Sequence, residues 1–168
     1  MKKLIVILAF ALLGTTTSFA QKFAYVDTEA VLSELPAYQN AQQQVDQFVA
    51  NWKKEIEKRY KDIDEMYRQF QAEQVLLTAN EKAKREEAIV AKERETRSFQ
   101  KQKFGAEGDL AKKRQELVAP IQDQVFEAIE TVAKRKGLDF VLDKSGGASI
   151  LYYNPEFDIT ADVTAALK

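Results

Sequence analysis

Pro36 and Pro120 bracket 83 residues that contain no proline and only two glycines, Gly105 and Gly108. Proline breaks helices and glycine weakens them, so a stretch this long, with more charge than a buried core could hold, specifies long exposed helices. Segments rich in β-branched and aromatic residues flank it. The expected class is α+β, mostly α: a small body carrying a long helical arm.

Val45, Val49, Trp52, Ile56, Arg59, Ile63, Met66 and Phe70 alternate at spacings of four and three, the heptad seam of a coiled coil. Only Arg59 breaks its apolar character. Phe48, Tyr60 and Tyr67 lie beside the seam, where they either cover its edges or face outward. Around residues 77–80 the pattern changes, and Thr78 or Asn80 followed by Glu81 predicts the cap of a second helix. A turn there makes the arm an antiparallel hairpin, with limbs over residues 38–77 and 81–117. At roughly 1.5 Å per residue, the outgoing limb is ~60 Å long.

The returning limb is poorer in apolar groups. Ala83, Val90, Arg97, Phe104, Ala111 and Val118 recur every seven residues and form its expected seam. Each glycine in the interior of such a helix costs roughly 1 kcal/mol relative to Ala, so the arm is expected to flex near Gly105 and Gly108. From residue 81 to 114 the limb holds eleven Lys/Arg against seven Asp/Glu, a basic excess in an otherwise acidic molecule.

At the front of the chain, FAYVD (23–27) reads as a strand, with Thr28 capping a short helix up to Leu35. At the back, a helix from Ile121 to Lys136 places Ile121, Val125, Ile129, Val132 and Ala133 on one face. Gly137 caps it, LDFVLD (138–143) and SILYY (149–153) read as strands around a turn, and a terminal helix follows Asp158 or Thr160. The body therefore comprises residues 21–37 and 118–168, and the arm residues 38–117. A body this small is marginal alone. With no cysteine and three open strands, oligomerisation is the expected remedy.

Lys2, Lys3, the apolar run 4–13, Ser18 and Ala20 form an expected secretory signal, cleaved after Ala20; the run is too short to span a bilayer. The mature chain, from Gln21, is expected to be soluble and exported. Its formal charge falls from −1 to −3 on loss of the two lysines, which argues against nucleic acid. The chain has no histidine, which removes Ser/His and Cys/His nucleophile pairs and imidazole metal ligands. The turn Lys144-Ser145-Gly146-Gly147 lacks P-loop spacing, and Asp62, Asp64 and Glu65 are adjacent carboxylates on a solvated helix. No enzyme activity, cofactor or metal site is expected.

FAYVD after the signal, LVAPIQDQVFEAI, GLDFVLD and the closing DITADVTAAL together resemble the Skp (OmpH-like) family of periplasmic chaperones. The resemblance is concentrated in about 70 residues at the two ends and extends over the mature chain in the order of its elements. It implies a jellyfish-like homotrimer in which strands from three subunits form a central β-barrel and three hairpins surround a cavity. It further implies a holdase, working without ATP, that keeps unfolded outer-membrane β-barrel proteins from aggregating before insertion. Known members are strongly basic, whereas this chain is slightly acidic, so no lipopolysaccharide or membrane-surface site is carried over.

A holdase needs dispersed apolar contacts rather than one deep pocket. The candidate client-contacting aromatics are Phe48, Trp52, Tyr60, Tyr67, Phe70, Phe99 and Phe104. The candidate cations that would attract acidic clients are Lys82, Lys84, Arg85, Arg94, Arg97, Lys101 and Lys103. Trp52 lies on the seam, so packing within the hairpin competes with client contact. Candidates for oligomerisation are Phe23, Tyr25, Val26, Phe140, Val141, Leu142, Ile150 and Tyr152. A coiled-coil spacer or adaptor is the alternative, and it would have a stiff arm and one defined partner.

Overall fold

The computed structural model describes residues 21–147 and 151–168. The expected signal segment therefore lies outside the described residues, as do Ser149 and Ile150 of the expected last strand. The elements run β1 (Phe23–Val26), α1 (Thr28–Glu34), α2 (Pro36–Glu73), α3 (Ala79–Phe104), α4 (Asp109–Leu117), α5 (Ala119–Lys136), β2 (Phe140–Asp143), a 3-10 turn (Pro155–Phe157) and α6 (Thr160–Ala166). Most of the described chain is helical. Among the described residues the sheet has two strands, paired in parallel.

β1 and β2 pair with Phe23 beside Phe140 and Val26 beside Asp143. Parallel neighbours require a long crossover. Here that crossover is the whole arm together with α1 and α5. Strand alternation turns Ala24 and Val26 inward, where they join Val31, Leu32, Val125, Ala128, Val132, Ile159 and Val163 in the body core. Phe23, Tyr25 and Leu142 line the opposite face. The expected hairpin between 138–143 and 149–153 is not formed by the described residues: Leu151–Tyr153 carry no strand, and β1 is flanked on its free side by a bridge from Tyr25 to Asp158. The body closes through the chain end instead, with Ile159 N–H donating to the Tyr25 carbonyl at 2.9 Å.

Asp27, rather than Thr28, caps α1: its carboxylate accepts from Ala30 N–H at 2.8 Å. Thr28 is instead spent across the body, its hydroxyl donating to Asp143 at 2.7 Å. Lys144 sits between Asp158 at 3.3 Å and Asp27 at 3.5 Å, and Thr160 accepts from Asp27 N–H at 3.0 Å. This polar clasp ties the front of the chain to β2 and to the C-terminal segment. Ser145 Oγ donates to Asp143, so both the Lys and the Ser of the 144–147 turn are engaged in the clasp.

Burial raises the Asp143 and Asp158 carboxyls, but hydrogen bonds outweigh it: from Thr28 and Ser145 on the first, and from Thr160 and Lys144 on the second. Both end below the ordinary carboxylate range. A depressed folded pKa contributes stability that is complete above the unfolded value and lost as pH falls through the folded one. The body is therefore expected to lose stability on acidification below about pH 4. Denaturant midpoints measured against pH should show a shallower acid slope in Asp143→Asn than in the wild type.

α2 is one unbroken helix of 38 residues with Pro36 in its first turn, a position where the missing N–H costs nothing. It ends at Glu73, and Thr78 caps α3 in a full capping box with Glu81. α5 starts with Pro120 in its first turn and ends at Gly137, whose φ of 63° is the left-handed conformation glycine takes without steric cost. At the foot of the arm, Ala41, Val45 and Val118 bury together against Tyr38, Leu110, Leu117 and Ile121.

The glycines do not lie inside a helix. Gly105 ends α3 and Gly108 caps α4, so the returning limb is two helices, and the interior-helix penalty expected for them does not arise. Backbone crowding explains the residue type. A Cβ on Gly105 would lie 2.5 Å from the Lys101 carbonyl oxygen, and one on Gly108 would lie 2.7 Å from that of Gln102.

Candidate functional site

The outgoing seam is realised throughout: Val45 and Ile63 are buried, and Val49, Trp52, Ile56, Arg59, Met66 and Phe70 are half-buried. Along most of α3 the returning seam is shifted one residue from its expected register, while Phe104, half-buried against Trp52, and Val118, buried, take their expected inward places. Ile89 and Thr96 are buried, with Lys82, Lys92, Phe99 and Lys103 half-buried, whereas Ala83, Val90, Arg97 and Ala111 face solvent. The physical reason is that Ile89, Lys92, Thr96, Phe99 and Lys103 keep the four–three alternation, which one apolar residue per heptad cannot. Thr96 is tolerated inside because its hydroxyl donates to the Lys92 carbonyl at 2.9 Å.

This register consumes several of the candidate client residues internally. Trp52 stacks on Phe48 at 5.7 Å and meets Phe104 edge-on at 5.9 Å. Lys103 lies over Trp52 at 5.3 Å and over Phe99 at 5.2 Å, and it spans the glycine break to pair with Asp109. Arg59, the polar intruder in the seam, lies 4.4 Å from the Phe99 ring centroid and bonds Glu55 at 2.9 Å and Glu95 at 2.8 Å. Arg59 first and Lys92 second hold the Glu95 carboxyl below its usual range.

A polar group at such a position fixes register at some expense of stability. Arg59→Leu is therefore expected to slow amide exchange in α2 and α3. Glu95→Ala should quicken it, because the half-buried Arg59 guanidinium then keeps only Glu55 as a carboxylate partner.

The remaining arm candidates reach the surface. Tyr60 and Tyr67 are 46% and 40% exposed, and their hydroxyls donate across the hairpin to Gln100 at 3.4 Å and Glu93 at 3.1 Å. Arg97 pairs with Glu93 at 3.0 Å, and Arg85 with Glu73 at 2.9 Å. Lys84, Arg94 and Lys101 are exposed, with no ion pair among the described residues. At the tip, Val75 and Leu76 are 82% and 84% exposed, an apolar pair the heptad reading does not single out because it lies beyond the last seam position.

The body presents a second surface. Phe23, Phe140 and Leu142 are at least half exposed, and Phe23 packs on Phe157 at 5.3 Å while Tyr25 packs under Tyr153 at 4.7 Å. A groove of about 250 Å³ runs between them, lined by Phe23, Tyr25, Leu142, Tyr152, Tyr153 and Phe157. Leu151 and Tyr152 are almost fully exposed beside it. Val26 and Val141, expected on this face, turn instead toward the body core because alternation gives them the opposite side. Tyr153, from the expected 149–153 strand, and Phe157, in the 3-10 turn outside any strand pattern, also belong to the face.

A family model described as "Outer membrane protein (OmpH-like)" matches residues 22–167. A protein of Yersinia enterocolitica named chaperone protein Skp is 27% identical over 96% of this chain and 94% of its own length. An uncharacterized protein of Aquifex aeolicus is 29% identical over 89% of this chain and 88% of its own. A solved structure of an OmpH-like protein from Caulobacter crescentus CB15 superposes with a TM-score of 0.67 over 92% of this chain and 88% of that one; at 14% identity it shows a shared fold.

Proposed function

The chain belongs to the OmpH-like outer membrane protein family, and we propose that it is a periplasmic holdase chaperone. In this reading it works without ATP, as a homotrimer whose bodies join through the aromatic sheet face and whose arms enclose unfolded outer-membrane β-barrel proteins. Some of its relatives bear the name chaperone protein Skp, which supports a chaperone role. The observation that carries the reading is the aromatic face of the body. Exposed Phe23, Phe140, Leu142, Leu151 and Tyr152 form an apolar surface of the kind that marks interaction sites. Joining three such faces around open strand edges would give a closed β body. The division into body (21–37 and 118–168) and arm (38–117) is part of the proposal.

The test combines mass with activity: sedimentation of the mature protein alone and with a urea-unfolded outer-membrane β-barrel protein, followed by light scattering of the diluted client. A trimer that suppresses scattering at stoichiometric amounts is expected. A monomer that leaves scattering unchanged overturns the reading, and a stiff oligomer that binds one folded partner points to the spacer alternative.

Client affinity is also expected to fall several-fold between about 0.1 M and 1 M salt, as the Debye length shrinks from ~10 to ~3 Å and the exposed cations of the returning limb are screened. Fluorescence titration of labelled client at the two salt concentrations checks this, and equal affinities would remove the electrostatic part.

A further inference from the structure

The two flanks of the hairpin are chemically unequal. On one, Arg59 joins Glu55 and Glu95, Lys92 joins Glu95, and Arg85 joins Glu73, so the groove between the limbs is sealed by ion pairs. On the other, the limbs are bridged by the hydroxyls of Tyr60 and Tyr67, whose rings remain exposed. These tyrosines are one heptad apart, about 10 Å along the helix.

Helical spacing extends the second flank on α3. Val90 precedes Glu93 by three residues and Arg97 by seven, so it stands on the same side as the residue that receives Tyr67; it is 48% exposed. Arg94, Arg97 and Lys101 follow Val90 at four, seven and eleven residues, which continues one stripe toward the body. Of these three cations only Arg97 has an ion pair among the described residues. The stripe that heptad counting assigns to the interior, Ala83, Val90 and Arg97, is thus an outer stripe beside the tyrosines.

We propose that this flank, Tyr60, Tyr67 and Val90 edged by Arg94, Arg97 and Lys101, is the face of the arm that holds the client. The occupant is an unfolded polypeptide carrying aromatic and acidic side chains. The proposal rests on the holdase reading and specifies where that function resides. Rings and a valine offer apolar contact without a pocket, which suits many sequences, and Tyr does so at low entropic cost. The unpaired cations complement acidic side chains, whereas the opposite flank has already satisfied its charges internally. The candidates Phe48, Trp52, Phe99, Phe104 and Lys103 serve the hairpin interior, and Arg85 lies on the sealed flank.

The chain has no cysteine, so single-cysteine variants report cleanly. An environment-sensitive dye on Val90→Cys would sit on the proposed face. On Ala88→Cys, exposed between Arg85 and Lys92, it would sit on the sealed flank. Adding the urea-unfolded outer-membrane β-barrel protein is expected to blue-shift the dye at 90 and leave that at 88 nearly unchanged. Tyr60→Ser/Tyr67→Ser should weaken client affinity about ten-fold with an unchanged circular dichroism spectrum. Equal shifts at both positions, or a shift at 88 alone, overturns the proposal while leaving the holdase reading intact. Failure of the wild type to suppress aggregation removes the reading itself.

Discussion

Leu142→Asp is expected to turn the assembled protein into a monomer and to abolish its suppression of client aggregation. In the single chain Leu142 is 50% exposed, and substitution of such a surface residue ordinarily changes stability by no more than about 0.5 kcal/mol. The large effect follows only if the face is covered by other subunits. A carboxylate would then be placed among Phe23, Tyr25, Tyr152 and Phe157, where Lys144, over the Tyr25 and Tyr153 rings, is already engaged by Asp27 and Asp158, a cost of several kcal/mol per subunit. Val26→Ala offers the contrast. Val26 is 1% exposed in the core of one chain, so its truncation should lower the free energy of unfolding by about 2 kcal/mol while the folded protein still associates. Sedimentation at micromolar concentration separates the two outcomes. A Leu142→Asp protein of wild-type mass would show that this face is not the interface.

The pattern of legibility follows from how each element earns its stability. The outgoing limb was readable because eight seam positions in succession obey one period, and a single Arg could not hide it. The first three heptads of the returning limb were misread by one residue, because Ile89 and Thr96 bury while their neighbours Val90 and Arg97 do not, though Phe104 and Val118 fall inward as expected. A β-branched Thr whose hydroxyl bonds back to its own helix is indistinguishable in sequence from a surface Thr. Likewise the alkyl stems of Lys92 and Lys103 fill seam sites that binary patterning reads as polar. The caps at Thr78 and Gly137 depend on local chemistry and were legible. The clasp at Lys144 depends on residues more than a hundred positions apart, as when Thr28 meets Asp143, and no local pattern announces it. In the strand expected at 149–153, the described residues Leu151–Tyr153 had the right composition but carry no strand. Composition alone does not supply a partner, and Tyr153 packs on Tyr25 from outside the sheet.

Trp52→Ala is expected to detach the two limbs near the arm's base while leaving the body folded. Trp52, the only tryptophan in the chain, is half-buried between Phe48 and Phe104, with Lys103 above it. The stack stands where the returning limb has least to offer, because between Phe104 and Asp109 there is no helix and the backbone at Gly105 and Gly108 leaves no room for a Cβ. Truncation removes ring contacts and the cation–π support of Lys103, together worth about 2–3 kcal/mol for a partly exposed site. Little elsewhere compensates, since the returning limb buries only Ile89 and Thr96 in α3. Amide exchange should therefore quicken in α3 and α4, and trypsin should cut first at Lys101, Lys103 or Lys112. The β1, β2 and α5 amides should keep their protection, because their core is a cluster distinct from the one at the foot of the arm, the two sharing only Tyr38 and Ile121 at their edges. Trp52→Phe, which preserves a ring, should restore most of the protection. If α5 loosened together with α3 in Trp52→Ala, arm and body would be one cooperative unit, and the glycine break would not be the place where the arm yields. With the body protected and α3 open, the arm yields at the break while the body core stays folded.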